Sequence, residues 1–291
     1  INSGAKIENL SFSGRFDVTM TRRAYTGLVT AVNKGDLINV GAKVSASTII
    51  GARQNFLYFG AVSGLNYGKI SQDIGKYDGT SYEFLKDEFS DEFVLDENGN
   101  KIKIDENGRQ LPSTRDFTGQ NAKNLAYFTG VVSIDAPSTN VYAGGIAGAS
   151  CGIVERILPS AESGYKLYGY SGYSAVTMIS ASGTSSFTNF KSLYVGGAVG
   201  VATASGTVLM GDDTAVESRI SSLLVGGEID TSASIGYDDA VGGIVGYADT
   251  GDVTEIKIIK NISRAFLRAI VNVGGIVGYD YYSTLIRTYV D

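Results

Sequence analysis

The chain has no histidine and no tryptophan, and only one cysteine and three prolines among its 291 residues. Without histidine there can be no Ser-His-Asp or Cys-His triad, no His-ligated zinc and no proximal-His haem. One cysteine excludes an intrachain disulfide framework and any CxxC zinc or redox motif. Excess positive charge is lacking too: 24 Lys and Arg stand against 30 Asp and Glu, a net charge of −6. That balance offers no footprint for a nucleic acid. No apolar run approaches the ~18 residues of a membrane-spanning helix, so no membrane insertion is expected within this segment. The chain opens Ile1-Asn2-Ser3-Gly4 rather than on Met. That opening reads as a processed or excised piece, with any export signal or anchor outside it.

What is present is glycine, 38 residues, and tyrosine, 18, within a chain that is 43% hydrophobic. That apolar content argues against global disorder, and the Gly content without periodic Pro is not collagen. One phrase recurs. It reads Tyr25-Thr26-Gly27-Leu28-Val29, then Tyr58-Phe59-Gly60-Ala61-Val62, then Ala143-Gly144-Gly145-Ile146-Ala147-Gly148. It returns as Val195 to Gly200, Val241 to Gly246 and Val273 to Gly278. Aligned on the second small position, its glycines are 27, 60, 145, 197, 243 and 275. The first and last steps set a unit near 32 residues, and longer steps carry insertions. A second short apolar run follows each phrase after a turn, as in Asn33-Lys34-Gly35-Asp36-Leu37-Ile38. A third often precedes it, as in Phe128 to Ser133 and Leu223 to Ile229. Three short strands per unit, with Gly and Asn or Asp at corners, is the pattern of a stacked β-solenoid. The glycines are expected to supply positive φ at corners and to let neighbouring backbones approach closely.

The residues Gly27-Leu28-Val29, Asn33, Gly35, Leu37-Ile38 and Gly41 to Ser45 resemble the GLUG repeat of bacterial surface proteins. Val241 to Gly251 and Val273 to Gly278 resemble it best, and Leu224-Val225-Gly226-Gly227-Glu228 departs from it. The resemblance implies an all-β, right-handed parallel β-helix. It further implies an extracellular, cell-surface setting in an adhesin-like or stalk protein. The expected architecture is therefore one domain over 1–291 with two lateral insertions. The first, 75–121, is acidic and carries Asn98-Gly99 and Asn107-Gly108 between apolar runs, a hairpin signal. The second, 155–190, is rich in Tyr, Gly and Ser. Residues 262–271 read as the strand leading into the last phrase rather than as a short helix.

Chemistry-bearing groups are few. Asp96 to Asn100 fails the EF-hand spacing and reads as a solvated turn, so no metal and no cofactor are expected. Tyr165, Tyr168, Tyr170 and Tyr173 are candidate ligand-binding residues, because Tyr offers broad amphipathic contact at low entropic cost. A Tyr ladder packing the insertion onto the solenoid is the structural alternative. Tyr279, Tyr281 and Tyr282 carry the same ambiguity. Cys151 reads as a small core residue. The paired carboxylates Asp212-Asp213 and Asp238-Asp239, with Arg219 near the first pair, keep a polysaccharide-degrading β-helix enzyme as an alternative. The preferred expectation is non-enzymatic: a rigid module displaying loops to a glycan or a protein on another surface. A self-assembling fibre or stalk is the other alternative. Neither end of the stack carries a polar cap, so flanking domains or end-to-end self-association are expected to cover them.

Overall fold

Short runs of Val, Ile, Leu and Tyr bounded by Gly and Asn favour strands over helices, and strands are what form. A computed structural model describes residues 1–15, 17–51, 56–71, 128–135, 139–155, 178–181 and 189–190. It continues through 192–203, 218–221, 223–231, 235–236, 238–249, 256–259, 261–269, 272–281 and 283–290. Short pieces at 76–77, 80–81, 83–84, 93, 103–104 and 110–111 complete it. Among these residues there is no helix. The chain is all-β, with parallel strands in stacked sheets.

Six repeats contribute to the stack, and each gives one strand to each of four parallel ladders. The first ladder is Ala24–Thr26, Phe56–Gly60, Asn140–Gly144, Ser192–Gly196, Asp239–Gly242 and Val273–Gly274. The second is Thr30–Asn33, Ser63–Asn66, Ala147–Ser150, Val199–Thr203, Val245–Asp249 and Val277–Tyr281. The third begins with the start of the long strand Asp36–Gly51. It runs through Lys69–Ser71, Ile153–Glu155, Ser218–Ser221, Ile256–Ile259 and Ser283–Ile286. The fourth uses the later part of Asp36–Gly51, then Phe128–Asp135, Met178–Ala181, Leu224–Asp230, Ile262–Arg268 and Tyr289–Val290. Because Asp36–Gly51 belongs to both, the third and fourth ladders merge into one 13-stranded sheet. Lys6–Gly14 and Asp17–Met20 lie against the same long strand at the first-repeat end.

The expected three strands per repeat are therefore corrected to four. The recurring phrase is not one strand but a strand, a corner and the start of another. Pairing also shifts the alignment by one residue. Gly60 pairs with Gly144 rather than Gly145, and the column continues through Gly196, Gly242 and Gly274. A Cβ on Gly27, Gly60, Gly144, Gly196, Gly242 or Gly274 would lie 1.8–2.2 Å from the carbonyl oxygen three residues on. This is the position where the corner needs glycine. Leu28 and Ala61 stand at the second place of the first two phrases, where a side chain is tolerated.

The reason for these glycines is also corrected. Among the described residues, the only glycine with positive φ is Gly4. The phrase glycines serve close approach alone. A second column shows this most clearly: a Cβ on Gly64, Gly148, Gly200, Gly246 or Gly278 would lie 2.5–2.6 Å from a first-ladder backbone nitrogen one repeat back. The first repeat has no repeat before it, and there the column holds an exposed Ala31.

Within the ladders, side chains alternate between two faces. Leu57, Phe59, Val141, Ala143, Leu193 and Val195 enter the main core with Leu37, Ile70, Val154, Ile220 and Ile258. Leu224–Asp230, expected to break the pattern, pairs residue for residue with Ile262–Arg268, and the strand reading of 262–271 holds over the described part. Polar columns stitch the corners. Asn33 Nδ2 donates to Asn66 Oδ1 at 2.8 Å, and Asn66 Nδ2 donates to Ser150 Oγ at 3.0 Å. Asn261, wholly buried, accepts from the Leu223 amide at 3.1 Å and donates to the Ile220 carbonyl at 3.0 Å.

Long connections leave the stack at a common corner. The segment after Lys69–Ser71 and the segment after Ile153–Glu155 both start on the third ladder and return on the fourth. Ser71 and Glu155 are register partners, and the strands to which the two segments return, Phe128–Asp135 and Met178–Ala181, pair from Val131 and Met178 onward. Inside the first, Lys103–Ile104 pairs antiparallel with Gln110–Leu111 on either side of Asn107-Gly108, and also with Glu83–Phe84.

Candidate functional site

The most ordered array of functional side chains is a column of tyrosines. In the first ladder Tyr25, Tyr58, Tyr142 and Tyr194 are successive register partners. Each stands two residues before a corner glycine, on the face opposite Leu57 and Phe59. Strand spacing of about 4.8 Å sets one ring above another at stacking distance. Ring centroids lie 5.0 Å apart for Tyr25–Tyr58, 5.0 Å for Tyr58–Tyr142 and 5.4 Å for Tyr142–Tyr194. The Tyr58–Tyr142 pair is edge-on, and the other two are stacked.

In the fifth repeat the first-ladder position is Ala240, and the column crosses to the second ladder. Tyr247 takes the place of Val201 there and stacks on Tyr194 at 4.5 Å. Tyr279 continues the column at 5.4 Å. Leu65, Ala149, Val201 and Cys151 fill in beside the rings as a second apolar cluster. Cys151 is fully buried, as its sequence context implies.

Four of these phenols, Tyr58, Tyr142, Tyr194 and Tyr247, hold their protons more tightly than usual. Burial is the main cause at all four shifted sites. It raises Tyr58 and Tyr194 well beyond the usual phenol range, and Tyr194 also donates to the carboxylate of Asp238. Tyr142 is pushed up to about 12 by burial and then by the charge of Asp238. Tyr247 also reaches about 12, through burial and then the charges of Asp249 and Asp238. Around the column, Arg23 lies over the Phe56 ring at 5.2 Å and Lys34 over Tyr67 at 5.5 Å.

On the third ladder, Glu155 is held between two cations from the repeats on either side. Lys69 Nζ lies 2.8 Å from it and the Arg219 guanidinium 2.9 Å. Arg219, noted in the sequence for its closeness to Asp213, is thus engaged by Glu155. Asp238 and Asp239 are consecutive but differ in environment: Asp238 is exposed and bound by Tyr194, while Asp239 is buried at the start of its strand. Tyr165, Tyr168, Tyr170, Tyr173, Asp212, Asp213, Tyr282 and the Asp96 to Asn100 turn lie outside the described residues. Among the described residues no group of three or more His, Cys, Asp or Glu is placed to hold a metal. No helix of the described residues is long and apolar enough to cross a membrane.

Set against protein-family models, curated proteins and solved structures, the chain matches none. Its role is therefore to be read from its own residues. The sequence leads one to expect Tyr, like Val, Ile, Leu and Ala, to stack on its counterpart one repeat away, but it did not single out this column, although a signal was present. Tyr-x-Gly recurs at 25, 58, 142 and 194, and Gly-Tyr at 246 and 278. Chemically the column is adhesive towards itself. Between Tyr25 and Tyr279 the ring faces that could stack on a sugar are taken up by neighbouring rings, Tyr58 is wholly buried and the Tyr194 hydroxyl is engaged by Asp238.

Proposed function

We propose that the chain is a right-handed parallel β-helix of the GLUG-repeat kind, working without catalysis as an extracellular surface module. In this reading a stiff stack carries loops towards a glycan or a protein on another surface, with Tyr165, Tyr168, Tyr170 and Tyr173 as the contact residues. The observation that carries it is the common corner. The segment holding those tyrosines and the segment 72–127 leave the third ladder from the register partners Glu155 and Ser71 and return to neighbouring, paired strands of the fourth. Two long insertions in adjacent repeats therefore start side by side on a rigid support. Loops on a rigid scaffold are where binding residues concentrate.

The test is retention on an array of polysaccharides and glycoproteins, reading released fragments alongside. Retention without fragments, lost when the four tyrosines become Ala, is expected. Retention that survives the four substitutions would remove those tyrosines from the contact. Released fragments would revive the polysaccharide-degrading alternative and direct substitution to Asp212, Asp213, Asp238 and Asp239. Neither signal would leave a spacer or stalk.

A further inference from the structure

Tyr194 brings together three features. It is only 8% exposed, so solvent hardly reaches its ring. It lies between two nearly parallel rings, Tyr142 at 5.4 Å and 6° and Tyr247 at 4.5 Å and 11°. Its hydroxyl donates to Asp238 Oδ2, and Asp238 is itself open to water. Two neighbours make the contrast. The Tyr58 hydroxyl is buried and has no hydrogen-bond partner among the described residues. Tyr247 donates to Asp249 at 3.4 Å, a longer contact than that of Tyr194 with Asp238.

These features suit the ring to losing an electron. A phenol stripped of an electron becomes a strong acid, so the loss is easy only where an acceptor for the proton stands within hydrogen-bond reach. Burial raises Tyr194 well beyond the usual phenol range, so the ring is a neutral phenol and its proton must leave with the electron. Asp238 is placed to take that proton and, being exposed, to pass it to water. The stacked rings spread the charge of a passing hole, and they connect buried Tyr194 to Tyr142 and Tyr247, which are partly exposed. The negative charge of Asp238 acts on all three rings. Competitors are few, since the chain has no tryptophan and its single thiol, Cys151, is fully buried.

We propose that Tyr194 and Asp238 form a one-electron redox site, at which a diffusible one-electron oxidant is reduced and the tyrosine becomes a persistent neutral radical. The step balances. One electron passes through the stacked rings to the oxidant, the O–H bond of Tyr194 breaks, and an O–H bond forms at Asp238 Oδ2. The products are a phenoxyl radical, a protonated carboxyl group and the oxidant reduced by one electron. Exposed phenoxyl radicals disappear by coupling with one another, and the rings covering both faces of Tyr194 bar that route. The site lies within the stack and uses no residue of the loops, so it stands whether or not the display reading holds.

The test is pulse radiolysis of the chain with the azide radical as oxidant, following phenoxyl absorbance and then the electron paramagnetic resonance signal of frozen samples. Radicals on exposed tyrosines are expected to decay by coupling, and one fraction is expected to persist. Tyr194→Phe, which keeps the ring stack, is expected to abolish that fraction. Asp238→Asn keeps the shape of the acceptor but cannot take the proton, and is expected to lower the persistent yield at least about tenfold. Tyr67→Phe removes a phenol that packs beside the column without belonging to it, and is expected to leave the yield unchanged. Circular dichroism matching the parent protein confirms that the variants fold. A parent protein with no persistent radical would overturn the proposal. So would a persistent signal that survives Tyr194→Phe, one that Asp238→Asn leaves at the parent yield, or one that Tyr67→Phe removes equally.

Discussion

Replacing Gly200 with Ala tests the account of the stack most directly. Its Cβ would meet only backbone: the Ala143 nitrogen at 2.5 Å, the Gly148 oxygen at 2.5 Å and the Ala143 oxygen at 2.9 Å. Ordinary contact begins near 3.4 Å, so the first and second ladders would have to part by close to 1 Å at that repeat. Overpacking of this kind costs about 1–3 kcal/mol. Ladder hydrogen bonds stretched by the movement add about 0.5–1.5 kcal/mol each. Lower chain entropy in the unfolded state returns only about 0.4–1 kcal/mol. The net expectation is a loss of about 2–4 kcal/mol.

Gly14→Ala is the matched control. Gly14 is also in a strand, but its Cβ would meet only the Leu28 Cδ1 methyl, at 3.2 Å. A flexible side-chain end can move aside, so this variant is expected to fall within about 1 kcal/mol of the parent and can even gain stability. Urea unfolding followed by circular dichroism separates the two. With an m-value of about 3 kcal/mol/M, the difference is a midpoint shift on the order of 1 M. If the two variants unfold within about 0.5 kcal/mol of each other, close backbone approach is not what the glycine column is for.

Two further outcomes follow from the polar and aromatic columns. Raising the pH should unfold the chain from about pH 10 upward. Unfolded tyrosines ionise near 10, while Tyr142 and Tyr247 hold their protons to about 12 and Tyr58 and Tyr194 are shifted the same way. The unfolded chain thus binds fewer protons than the folded one above pH 10. Stability is intact below that value and declines as pH rises through the folded pKa values. Phenolate absorbance should lag behind free tyrosine and then rise together with loss of the sheet signal; titration of all tyrosines near 10 with the sheet intact would contradict the column. Asn66→Ala should cost about 2–3 kcal/mol in urea unfolding, because it strips buried Asn33 of its 2.8 Å acceptor and Ser150 of its donor. Ser150→Ala, which removes one end of the column, should cost about 1 kcal/mol; equal losses in the two variants would show that the column does not act as a unit.

The repeating stack was legible because its phrase recurs and because its spacer runs are β-rich. The strand count was not, and Gly144-Gly145 shows why. A corner made without positive φ leaves no conformational signature in the sequence. Val141 to Ala147 therefore reads as one apolar run, although a corner divides it. The one-residue misalignment has the same origin. Two adjacent glycines look equivalent in sequence, and only the strand pairing, which sets Gly60 beside Gly144, tells them apart. The departures in composition at 75–121 and 155–190 were visible, but the second range takes in Met178–Ala181, which is a strand of the fourth ladder. The shared corner of the two insertions was not visible, since it depends on which ladder Ser71 and Glu155 occupy. Tyr25 and Tyr58 were read as members of the phrase and Tyr142 and Tyr194 stood just outside it, because repeats of 33 to 84 residues hide contacts that arise only on stacking.

The crossing of the tyrosine column in the fifth repeat shows what that column preserves. Tyr194 faces Ala240 along the first ladder, and Val201 faces Tyr247 along the second. One large and one small residue have exchanged ladders, so the repeat keeps about the same side-chain volume on the shared flank. Volume-conserving exchange is what close packing tolerates best. The new pair is also the tightest among the described rings, at 4.5 Å and 11° between planes. A surface selected to grip a ligand would keep its ring where the ligand sits. Here the ring changes ladder while its contact with the ring below survives. The column therefore acts as cement between repeats.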